Sequence, residues 1–77
     1  MDEEKRELTF GEDAVGLSFN PSNIVKVDEV KRLFAQIIDI CNEIRTEAGP
    51  GEKGRYLSVA ITEAQTAQMW AVKGIVK

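Results

Sequence analysis

Arg55 and the glycines ahead of it are the first residues that ask for chemistry. The stretch GPGEKGR at 49–55 puts glycines at 49, 51 and 54 immediately before a cation. Glycines that open a helix leave backbone N–H groups free, and a helix N-terminus favours an anion. A basic side chain in a first turn opposes the helix dipole, which makes sense if it holds a carboxylate or phosphate. The stretch lacks a terminal GK[ST], and a helical pattern rather than a strand precedes it, so a nucleoside-triphosphatase loop is excluded. The competing reading is an exposed turn with an incidental arginine, and the sequence leaves both open.

Flat rings are the second resource. Phe19, Tyr56 and Trp70 can each stack on a planar ligand. Asn20, beside Phe19, offers an amide donor and acceptor suited to a base edge. Phe19 is equally readable as packing. Trp70, inside the apolar stretch MWAV, reads better as packing or interface. A polar track of Ser58, Thr62, Gln65 and Lys73 can line a groove, or be a solvated face. Cys41 lies on an apolar stripe and reads as a small hydrophobe, because the chain has no histidine to activate it. One cysteine and no histidine argue against a disulfide and against a metal site. No catalytic constellation is present, and the expectation is a binding protein, not an enzyme, with no cofactor.

The elements that must position these groups follow from periodicity. Residues 1–22 read as an N-terminal arm, extended up to Pro21, with Val15, Leu17 and Phe19 alternating against Gly16, Ser18 and Asn20. Residues 23–77 read as a helical hairpin, the whole forming a single domain. The first helix is expected from about 24 to 47, its stripe formed by Val27, Val30, Phe34, Ile37, Cys41 and Ile44 and widened by Leu33, Ile38 and Ile40. Gly49, Pro50, Gly51 and Gly54 break the pattern. The second helix is expected from Gly54 or Arg55 to 75, with Leu57, Ala60, Ile61, Ala64, Gln68, Ala71 and Ile75 facing the first. The fold class is all-α, an antiparallel two-helix hairpin with an extended N-terminal arm.

Such a hairpin leaves apolar surface over. Val59, Met69, Trp70 and Val72 point away from the shared stripe, and 77 residues make a small core. The expectation is a homo-oligomer with ligand sites shared between chains. A net charge of −3 argues against long nucleic acid as a partner. No apolar run approaches the roughly 20 residues of a membrane span. The charged start and lone thiol point to a soluble intracellular protein.

The motifs together resemble a known family. LSFNPS precedes a long helix; R-x-x-S-x-A-[IL]-T, six variable positions and MWA follow. This pattern is similar to the helical-hairpin family of phage anti-defence proteins, sponges that sequester the cyclic nucleotide signals of bacterial CBASS and Thoeris immunity without degrading them. The resemblance spans residues from about 17 to 76. It is densest in RYLSVAITEAQTAQMWA at 55–71, through Arg55, Ser58, Ala60, Thr62, Met69, Trp70 and Ala71. Where the family often has a Tyr-His-Pro-Pro-like run, this chain has Phe19-Asn20-Pro21-Ser22, with asparagine in place of histidine.

The resemblance implies a compact homo-oligomer, commonly a hexamer, with pockets between protomers and action in the cytoplasm of the infected bacterial host. By position, Arg55 would meet phosphate, Phe19 would stack on or cover a base, and Thr62 would hydrogen-bond the ligand. Asn20 and Lys73 are added from their chemistry. The ligand would be a cyclic di- or trinucleotide or a cyclic ADP-ribose isomer. The alternative is a helical-hairpin protein–protein interaction module working through its leftover apolar face. Hydrolysis of a cyclic nucleotide is the poorest reading, since no general base is evident.

Overall fold

The computed structural model describes residues 7–16 and 25–77, and in them the chain forms three helices: α1 (Phe10–Ala14), α2 (Val25–Ala48) and α3 (Glu52–Val76). There is no strand among the described residues. Helices α2 and α3 have 24 and 25 residues and pack on each other, while α1 packs on α2. The expected helix of 24–47 is α2 to within a residue at each end.

The connection between α2 and α3 is tighter than the glycine count suggested. Gly49 has φ +74°, a left-handed value that suits the residue just past a helix end, and its N–H returns to the Arg45 carbonyl at 3.2 Å. Pro50 cannot continue the helix. Gly51, at φ +132°, is the N-cap of α3. Helix α3 therefore begins at Glu52, and Gly54 lies inside its first turn instead of breaking the pattern. A Cβ on Gly54 would come within 2.8 Å of the Gly49 carbonyl oxygen, so the closeness of this turn requires glycine there.

Residues 10–14 are helical where the sequence reading has an extended arm. Thr9 is the N-cap: its hydroxyl accepts from the Glu12 N–H at 3.0 Å, and the Glu12 carboxylate accepts from the Thr9 N–H at 3.0 Å. This reciprocal box satisfies two donors that a helix start otherwise leaves free. Asp39 of α2 completes the start, accepting from the Thr9 hydroxyl at 2.8 Å and the Gly11 N–H at 2.6 Å. Gly11 rides so close to α2 that a Cβ there would stand 2.1 Å from the Ala35 carbonyl oxygen. The Lys31 ammonium donates to the Gly16 carbonyl beyond the other end of α1.

The core sits where these three helices meet. Val15, Ala35, Ile38 and Ile61 are buried together, with Ala14, Phe34, Cys41 and Ala64 packed against them. Ile38 is fully covered. The burial divides the expected α2 stripe: Val27 and Ile38 are buried and Phe34 and Cys41 half-buried, whereas Leu33, Ile37, Ile40 and Ile44 are exposed and Ala35, outside the expected stripe, is buried. Helix α2 is apolar on two sides, and α1 settles onto one of them. On α3, Leu57, Ile61, Ala64, Gln68 and Ala71 lie on the covered side; Ala60 and Ile75 of the expected stripe are exposed, and Val72, expected to point away, is half-buried.

Candidate functional site

The outward side of α3 carries three of the five residues singled out for ligand binding. At 3.6 residues per turn, Arg55, Thr62 and Lys73 fall within about 20° of one line down the helix. All three are exposed, opposite the buried Ile61 and Gln68. They share a face but not a point: Thr62 lies about 10 Å along the axis from Arg55, and Lys73 about 27 Å. One protomer does not gather Arg55 and Lys73 around a single phosphate. Phe19 and Asn20 lie outside the described residues.

At the Arg55 end, three neighbours form one small arrangement. The Tyr56 hydroxyl donates to Glu52 Oε2 at 2.7 Å, and the Arg55 guanidinium sits 5.3 Å from the centre of the Tyr56 ring. Among the described residues, no carboxylate pairs with Arg55. Its backbone N–H is already used, donating to the Gly51 carbonyl at 3.1 Å. The Glu52 hydrogen bond raises the Tyr56 phenol above its ordinary 10.0, assisted by desolvation and opposed by Arg55. This end of the helix thus presents a cation over a ring, with the nearest acid occupied.

At the other end, Met69, Trp70 and Lys73 line a cleft of about 170 Å³. The Lys73 ammonium stands 5.2 Å from the Trp70 ring centre, within the range of cation–π attraction. Trp70 is 66% exposed and Met69 65%, so the indole does not pack inside its own chain. An open indole and a cation suit a flat anionic ligand or a partner surface.

Two other members of the sequence pattern have structural work. The Ser58 hydroxyl accepts from Arg45 Nη1 at 3.1 Å, which ties α3 to α2. Arg45, which sequence reasoning missed, also donates to Asn42 Oδ1 at 2.6 Å and lies over the Phe10 ring at 5.5 Å. It joins all three helices. Its place in the last turn of α2 was readable as a dipole effect, but its partners were not. Thr66 donates its hydroxyl to the Thr62 carbonyl at 3.2 Å. Cys41 packs half-buried against the core. Among the described residues no three of His, Cys, Asp or Glu cluster as metal ligands, and no helix is long and apolar enough to cross a membrane.

The family model described as Acb2/Tad1, hairpin domain, matches residues 12–76. The chain belongs to the Acb2/Tad1 hairpin family. This is the family of phage anti-CBASS and anti-Thoeris cyclic nucleotide sponges. No curated protein and no solved structure matches the chain. The matched span contains the whole of α2 and α3 in this Acb2/Tad1 hairpin, together with the turn between them. The R-x-x-S-x-A-I-T and MWA motifs consequently fall on one helix, the first at the Arg55 end and the second beside the Lys73 cleft.

Proposed function

We propose that this protein binds cyclic nucleotide immune signals and sequesters them without cleaving them, in the cytoplasm of the infected host. The observation that carries the reading is the Arg55 guanidinium, held on an exposed helix face of an Acb2/Tad1 hairpin with no carboxylate of the described residues against it. A cation in that state binds a phosphodiester through charge-assisted hydrogen bonds without first breaking an ion pair. Thr62, about two turns further along the same face, supplies a hydroxyl. Phe19 and Asn20 cover and read the base. Residues 1–22 act as an arm on an antiparallel hairpin of residues 23–77.

The open α3 face needs walls, and other protomers supply them. A homo-oligomer, in our reading a hexamer, brings the Lys73 end of one chain toward a pocket begun by another. The exposed Val59, Met69 and Trp70 on α3, and Leu33, Ile37 and Ile40 on α2, provide apolar surface for that assembly. Sequestration asks for no nucleophile and no metal, and a chain without histidine suits it.

A thermal-shift screen tests the reading, using cyclic dinucleotides, cyclic trinucleotides and cyclic ADP-ribose isomers with linear nucleotides as controls. A ligand at one hundred times its dissociation constant adds about 2.7 kcal/mol of stability. One cyclic class should raise Tm, Arg55→Ala should abolish the rise without changing the oligomer, and chromatography should return the nucleotide intact. A flat panel, or linear product, would overturn the proposal. A flat panel with a stoichiometric protein partner on the Trp70 face would favour the interaction-module reading instead.

A further inference from the structure

Glu52, Arg55 and Tyr56 occupy one turn of α3, and their spacing contains a choice. Glu52 and Arg55 are three residues apart, the separation at which a carboxylate and a guanidinium pair on a helix surface. Glu52 and Tyr56 are four apart, a spacing that also makes neighbours. The carboxylate meets the Tyr56 hydroxyl at 2.7 Å, and Arg55 rests over the Tyr56 ring at 5.3 Å. Both partners act on the phenol, Glu52 raising its pKa and Arg55 opposing that shift.

We propose that Tyr56 is a positioning residue for the anion site: by engaging Glu52 through its hydroxyl it keeps the nearest acid off Arg55, and its ring supports the guanidinium. This rests on the reading of Arg55 as a phosphate ligand. Without the hydroxyl, Glu52 is left without its partner and turns to Arg55. An incoming phosphate then has to displace a carboxylate before it can bind. A surface pair at this spacing is weak, so the penalty is modest. The ring alone does not prevent it, because a guanidinium can stack and pair at once.

The test is an affinity cycle over wild type, Tyr56→Phe, Glu52→Gln and Tyr56→Phe/Glu52→Gln. It is read by calorimetry with cyclic di-AMP, cyclic tri-AMP and cyclic ADP-ribose as probes, and circular dichroism checks helix content throughout. Tyr56→Phe should weaken the binding probe by about 1.5- to twofold, as expected from one helix-surface pair that binding must break. The double variant should bind as Glu52→Gln does, because no acid remains to compete. Loss in Tyr56→Phe that Glu52→Gln fails to rescue would mean the hydroxyl acts on the ligand or the fold, and would overturn the proposal. So would unchanged affinity in Tyr56→Phe. Arg55→Ala separates the two levels: if it binds every probe as wild type does, or if wild type binds none, the phosphate reading itself fails and takes this inference with it. An Arg55-dependent affinity that is blind to the cycle removes only Tyr56.

Discussion

Replacing Gly11 with alanine tests the docking of α1. The new Cβ would lie 2.1 Å from the Ala35 carbonyl oxygen and 2.9 Å from Asp39 Oδ1. Ordinary contact distances are about 3.5–4.0 Å, so α1 must retreat from α2 by more than about 1 Å. The obstacle is backbone in the middle of a long helix and cannot swing aside as a side-chain tip would. Retreat stretches the bonds from Asp39 to the Gly11 N–H and the Thr9 hydroxyl, now 2.6 and 2.8 Å, and lifts buried Val15 from the core.

Each bond to a charged acceptor contributes about 1.5–3 kcal/mol at most, and burying a valine about 1.5–3. Water replaces part of the former, and alanine's helix propensity returns about 1 kcal/mol. The net loss is about 2 kcal/mol, or roughly 10 °C in Tm for a domain of this size. Hydrogen exchange locates it. The Val15 and Gly16 amides, bonded to Gly11 and Asp13 carbonyls at 3.1 Å, should lose protection, while amides around Ile38 and Ile61 keep theirs. An unchanged Tm together with full protection at Val15 would refute the close approach of α1 to Ala35.

Three further outcomes follow from the same structure. Ile38→Ala, at a fully covered position, should cost about 2–5 kcal/mol in denaturant unfolding, and a loss well below 1 would mean the core does not close over it. Gly74→Ala meets nothing within 4 Å and should gain up to about 1 kcal/mol of helix stability, so a lower melting temperature there would reveal a close neighbour on α3. Tyr56 is the chain's one tyrosine, so phenolate absorbance reads it alone. Its folded pKa is raised above 10.0, so the stabilisation from the Glu52 bond is present below the unfolded tyrosine value and lost as pH climbs through the raised one. Glu52→Gln should lower the titration midpoint; an unmoved midpoint would show that the hydrogen bond is not formed in solution.

Sequence by itself determined the long helices, because α2 and α3 each repeat apolar residues at three and four over more than twenty positions. Gly49, Pro50 and Gly51 likewise announced the turn, since backbone conformation there is a local property. It also placed Thr62 and Lys73 on one flank of α3, for helical geometry follows from numbering alone. Helix α1 was only half legible. Its Thr9–Glu12 capping box is written in four consecutive residues, yet so short a helix is unstable until something holds it. What holds it comes from about 28 residues away in the chain, where Asp39 meets the Gly11 N–H. The covered side of α2 was legible in part: Val27, Phe34, Ile38 and Cys41 of the expected stripe are covered, while Ile37 is not and Ala35 was missed. Ile37 and Ile38 are equally apolar neighbours, and only the arrival of Val15 from beyond α1 and Ile61 from α3 buries the second and leaves the first in the open. The same holds for the chemistry around Arg55. Three adjacent side chains admit two pairings for Glu52, and the folded conformation selected Tyr56.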